Sequence, residues 1–191
     1  MAANLQETDR GAGGVAGLGE EEMTDFWMYG PFKIPEDNGW IPNDLDSFWN
    51  GVESDQEGLS TAIGVYVFLM RSGGGYSPWY VGQTQSGFIG ECFGAYQKDG
   101  YNFAMTRYDK GNPYLILIPK LTDSGKFSHS GGDDIDFVEN YCIGLAIKAN
   151  PGIVNKKNTM HHKSIVLPGI MNGPQGHPGT AASVLRQAFR L

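Results

Sequence analysis

The sequence predicts an α/β chain, α+β in detail, with a small mixed or antiparallel sheet flanked by helices. Three observations carry this. Residues 63–70 and 79–82 are rich in β-branched and aromatic side chains, and a Ser-Gly-Gly-Gly stretch at 72–75 lets the chain reverse between them. Residues 114–119 form a third, continuous apolar run of strand length. Residues 134–149 carry Ile135, Val138, Cys142, Leu145 and Ala149 at three- and four-residue steps, the period of one helix face.

From the start, residues 1–22 are mostly Gly, Ala and Glu, too poor in large apolar groups to offset the cost of ordering, so they read as a mobile tail. Residues 23–62 form an acidic extension with Phe26, Trp27, Tyr29, Phe32, Trp40, Phe48 and Trp49, a density of aromatics that predicts packing on the main domain. Within it, Asn43 is read as the N-cap of a short helix over 44–52, and 53–60 as a polar linker. The main domain is 63–191. After the hairpin, helices are expected over 88–98 and 102–108, with Gly100 between them, and a polar loop over 122–133. Asp134 and Asp136 sit where a helix dipole favours anions, and Asn150-Pro151-Gly152 stops the helix. A short apolar stretch follows at 164–167, then Pro/Gly loops, then an amphipathic helix over 180–191.

Composition excludes several classes. No run of 18 apolar residues occurs, which excludes a membrane-spanning helix, and the start lacks the apolar core of a secretory signal. Two cysteines, Cys92 and Cys142, cannot build a disulfide scaffold or a cysteine-rich zinc module; they read as free thiols of a cytoplasmic protein, filling helix–core contacts. The net charge of −7 is uneven. Residues 1–62 carry 13 Asp and Glu against 2 Lys and Arg, whereas 63–191 carry 8 against 12. The acidic total argues against a general nucleic-acid coat, but the basic second part permits one phosphate site. The triple glycine at 73–75 is no phosphate loop, because neither Lys-Ser/Thr nor a helix follows. His129, His161, His162 and His177 lack ligand spacing and read as surface residues.

The more telling pattern is Gly64-Val65-Tyr66, then 13 residues, then Tyr80-Val81-Gly82. Downstream come Glu139 on the periodic helix, the Pro151 stop and Asn155. In this order the residues resemble the GIY-YIG nuclease superfamily over about residues 62–157. The resemblance implies a GIY-YIG-like fold and a metal-dependent endonuclease (a hydrolase) that cleaves nucleic-acid phosphodiesters. It implies that Tyr66 and Tyr80 help to activate a water, that Glu139 binds Mg²⁺ or Mn²⁺, and that Asn155 closes the site. Gly64 and Gly82 would let backbones approach closely. One departure stands out. The family carries an Arg about eight residues beyond the second tripeptide, a position that falls here on Gly90 or Glu91; residues 83–97 hold no Lys or Arg. Such an arginine is worth about 10³–10⁵ in rate, and a carboxylate would repel phosphate instead. Arg107 is the candidate to replace it, with an ordinary surface arginine as the plainer reading. DNA is the expected partner. The alternative is a degenerate, non-catalytic module that binds nucleic acid or binds a protein through the acidic N-terminal region.

Overall fold

The computed structural model describes residues 24–108, 111–154, 165–170 and 179–191. The expected tail, together with His161, His162, His177 and Asn155, lies outside them. Its core is a four-stranded antiparallel sheet, open at both sides, in the order β2-β5-β3-β4: β2 is Tyr29–Lys33, β3 Gly64–Ser72, β4 Gly75–Thr84 and β5 Asn112–Pro119. A separate parallel pair joins β1 (Thr24–Asp25) to β6 (Ile165–Val166).

The hairpin forms as its sequence predicts. Ser72 pairs with Gly75, leaving Gly73 and Gly74 as a two-residue connection, and Gly73 takes a positive φ of 60°. Strand β3 is paired on both edges, by β4 and β5, and its residues 64–70 are buried because helices cover both faces of the sheet. Its alternate residues enter two cores. Val65, Val67 and Leu69 join the first, under α4 (Asp133–Ala149) and α5 (Thr180–Phe189). Tyr66, Phe68 and Met70 join the second, under α1 (Asp46–Asp55), α2 (Phe88–Glu91) and α3 (Ala95–Met105). Cys142 fills the first core and Cys92 the second, both fully buried and free.

The N-terminal segment does more than pack alongside. Residues Tyr29–Lys33 are a strand of the main sheet, hydrogen-bonded to β5, with a register break between Tyr29 and Phe32. Its sequence, Tyr-Gly-Pro-Phe-Lys, carries two breakers, and these fit only because β2 is an outer strand with a local irregularity. Helix α1 starts at Asp46, not 44, and Asn43 does not cap it. The Asp46 N–H donates to the Asp44 carboxylate at 3.0 Å, while Asn43 Oδ1 accepts from Lys98 Nζ at 2.7 Å. The expected linker is structured: Glu53 accepts from the Gly58 and Ser60 amides at 2.8 and 2.7 Å and pins a single 3-10 turn, Leu59–Thr61.

The break between the second pair of helices also differs from expectation. It falls at 92–94, and Gly100 lies inside α3. Gly100 is there for packing: a Cβ on it would stand 3.3 Å from Val154 and 3.5 Å from Tyr80. Helix α4 matches its period, running to Ala149. Its start is tied to the sheet by a Lys120–Asp134 ion pair of 2.8 Å and by a Gln83–Asp136 hydrogen bond. No helix among the described residues is long and apolar enough to cross a membrane.

Candidate functional site

Register decides which tripeptide side chains can meet. Tyr66 lies opposite Gly82, and Phe68 opposite Tyr80. Tyr66 and Tyr80 are therefore diagonal neighbours on one face of the hairpin. Their rings stack, 6.1 Å apart and 13° from parallel. Gly82 is what makes this arrangement fit: a Cβ there would strike the Tyr66 ring. Gly64 serves a different contact. It has a φ of 152°, and a Cβ would strike the Ile118 carbonyl on β5. Close backbone approach, expected at both glycines, thus occurs at Gly64, whereas Gly82 makes room for a side chain.

Glu139 lies on α4. Although α4 packs its apolar face on the first core, Glu139 is only 3% exposed, and its carboxylate acts electrostatically on the Tyr80 hydroxyl. The bond from Gln83 to Asp136 seats the preceding turn of α4 against β4, the strand that carries Tyr80. The chain then turns along the outer side of β4. Asn150 Nδ2 donates to the Pro78 carbonyl at 2.8 Å and the Val154 N–H to the Trp79 carbonyl at 2.9 Å. A register break between Phe68 and Leu69 leaves Trp79 as the extra residue of β4. Asn155 follows Val154 and lies outside the described residues.

Arg107 is not brought to the tyrosines by any described contact. It is exposed, just past the end of α3, with its guanidinium 4.7 Å from the centre of the Phe103 ring. Glu91 is the charged group that α2 contributes. It accepts from Gln97 Nε2 at 2.7 Å, and its charge acts on Tyr66, Tyr80, Tyr101 and Cys92.

Burial dominates the electrostatics. Tyr66 is 1% exposed and Tyr80 6%. Burial, then the charges of Cys92 and Tyr80, push the Tyr66 hydroxyl far above its ordinary range. Burial, then Tyr96 and Glu139, push Tyr80 up to about 12. Both phenols are protonated at neutral pH, so each can donate a hydrogen bond but holds its own proton firmly. Comparison with known protein families, curated proteins and solved structures gives no match.

Three residues of the cluster escaped the sequence reading. Tyr101 stacks on Phe68 at 4.1 Å and meets Tyr80 edge-on at 5.5 Å. Tyr96 is 66% exposed, and its ring lies 6.5 Å from Tyr80. Gln97 is buried on α3. The signal for Gln97 was its helical spacing, since 97, 101, 104 and 105 share the buried face. Glu139 offers one hard carboxylate donor of the kind Mg²⁺ takes, an ion that keeps several waters beside one or two carboxylates and phosphate oxygens. Among the described residues no group of three or more acidic, His or Cys side chains could cage an ion.

Proposed function

We propose that the chain is a GIY-YIG-like domain acting on nucleic-acid phosphodiesters, as a slow endonuclease that uses Mg²⁺ or Mn²⁺ held at Glu139. One observation carries the reading: Tyr66 and Tyr80 stack on one face of the hairpin, and the buried Glu139 acts on Tyr80 from another element. A bound divalent ion supplies Lewis-acid stabilisation and an activated water. The chain's own part is to hold that ion by the Glu139 carboxylate and to orient water and phosphate oxygen by protonated phenols, Tyr80 foremost because it is the less covered of the two. Turnover is low because residues 83–97 supply no cation.

The specific observation favouring the alternative, a non-catalytic binding module, is Glu91. A carboxylate facing the tyrosines opposes the approach of phosphate. Nicking of supercoiled plasmid with Mg²⁺ or Mn²⁺ separates the two. The nuclease reading expects slow, metal-dependent nicking that is lost in Tyr66→Phe and Glu139→Gln and kept in Arg107→Ala. Nicking that survives Glu139→Gln would overturn it. DNA binding without nicking under either metal favours the module.

A further inference from the structure

Glu91 is half-buried on the last residue of α2, in the stretch where the resemblance places an arginine. Its carboxylate accepts from the amide nitrogen of Gln97 at 2.7 Å. Gln97 in turn acts on the Tyr66 hydroxyl, and the Tyr66 ring stacks on Tyr80 at 6.1 Å and acts on its hydroxyl. A run of interacting side chains thus leads from the rim of the second core to the tyrosine pair.

Two features show how the run is held. A carboxylate only accepts, so Gln97 must turn its NH₂ toward Glu91, and the amide cannot flip. The carbonyl end of Gln97 lies close over Gly94, where a Cβ would stand 2.6 Å from Gln97 Oε1. At the far end, a Cβ on Gly82 would stand 2.5 Å from the Tyr66 hydroxyl. Gln97 is 9% exposed on the buried face of α3, among Tyr101, Ala104 and Met105. An apolar residue would fill that position without the desolvation that a buried amide suffers.

We infer that Glu91 and Gln97 are positioning residues of the Tyr66–Tyr80 pair, setting the orientation of its hydroxyls through this run of side chains. For its catalytic meaning this rests on the nuclease reading; the wiring itself does not. Glu91 then has a task of its own in place of the missing arginine. It fixes the phenols as neutral donors and leaves phosphate charge to the divalent ion.

The test uses the full chain labelled with carbon-13 at the tyrosine ζ position, with signals assigned by Tyr66→Phe and Tyr80→Phe. The ζ-carbon shift reports the hydrogen bonding of each hydroxyl. Glu91→Ala is expected to move the Tyr66 and Tyr80 signals and leave those of Tyr29 and Tyr76 in place. Glu91→Gln, which can still accept from Gln97, restores most of the original shift. Where nicking is measurable, Glu91→Ala lowers kcat about tenfold or more with little change in KM, as a misplaced group does. Tyr66 and Tyr80 signals unmoved by Glu91→Ala in a folded protein would overturn the inference. Moved signals with no nicking in the wild type would sink the nuclease reading alone. Because Glu91 sits at the rim, its variants keep the core intact; Gln97→Leu gives a second break in the same run.

Discussion

The two tripeptide glycines look equivalent in the sequence but are not equivalent in space. At Gly82 the obstacle to a larger residue is the Tyr66 ring, which can turn aside; at Gly64 it is the Ile118 carbonyl, which cannot, and φ is positive there as well. Gly82→Ala is expected to cost about 1–3 kcal/mol and to break the tyrosine stack. Gly64→Ala is expected to cost about 3 kcal/mol or more, because backbone strain adds to the clash. Urea unfolding of both variants checks the order. The tyrosines also carry a pH signature. Burial, Tyr96 and Glu139 raise the Tyr80 hydroxyl from 10.0 to about 12. The native chain keeps that proton in a window where the unfolded chain loses it. Stability is therefore full below about pH 10 and falls as pH rises through about 12, by about 2–3 kcal/mol from this group. Urea melts of the wild type and Tyr80→Phe between about pH 9 and 11.5 should show a shallower fall in the variant. Tyr66, Tyr80 and Glu139 were singled out by the family resemblance alone; strand alternation adds that the two tyrosines share one face of the hairpin. Gln97 and Glu91 were not legible, because their meeting depends on the turn at 92–94, and Gly100 drew attention to the wrong break.

Among the elements, those with a strong period emerged as read. Strands β3, β4 and β5 and helix α4 each bury an apolar pattern of strand or helix type, and tertiary packing then reinforces what local preference favours. Strand β2 was illegible for a physical reason: Gly30-Pro31 breaks strand preference, and only pairing with β5 overrides it. The start of α1 shows the same limit on a smaller scale. Asn43 and Asp44 are both good capping residues, yet the N-cap position falls on Leu45, and Asp44, one residue before it, accepts from the Asp46 N–H. Asp44→Ala is expected to lower stability by about 0.5–1 kcal/mol, and Asn43→Ala, which loses only an exposed bond to Lys98, by less. Thermal melts of the two variants test this. Glu53 shows how a polar stretch becomes structure. Burial works against its charged form, but the bonds from Ser60 and Gly58 prevail and hold its carboxyl below the usual range. Its contribution is present at neutral pH and is lost as pH falls through that lowered value.

For the whole molecule, the boundary at 62/63 is one of composition, not of folding. Residues 29–33 are a strand of the main sheet, and Ile34, Phe48, Trp49, Val52 and Leu59 belong to the core that covers Tyr66. A fragment of residues 63–191 is expected to lack cooperative unfolding, as circular dichroism on heating would show; a sharp transition would restore the segment to the status of an appendage. On the proposed nuclease reading, the acidic charge of that segment opposes nucleic acid. Neutralising Glu36, Asp37, Asp46, Asp55 and Glu57 with Asn or Gln, and sparing Asp44 and Glu53 for their structural bonds, should strengthen DNA binding most at low salt, where screening is weak. Binding isotherms at two salt concentrations measure it, and unchanged affinity at low salt would leave those charges as plain surface. The chain that follows α4 along β4 has a last consequence, for self-association. An open sheet is a template on which a second copy can add a strand. Here the Val154 N–H already occupies the Trp79 carbonyl, Asn150 occupies that of Pro78, and Pro78 has no N–H to offer. On the opposite margin, β2 carries Pro31 and a broken register. Both margins are thus interrupted, β4 at Pro78 and Trp79 and β2 at Pro31. These interruptions work against edge-to-edge addition of a second copy of the hairpin.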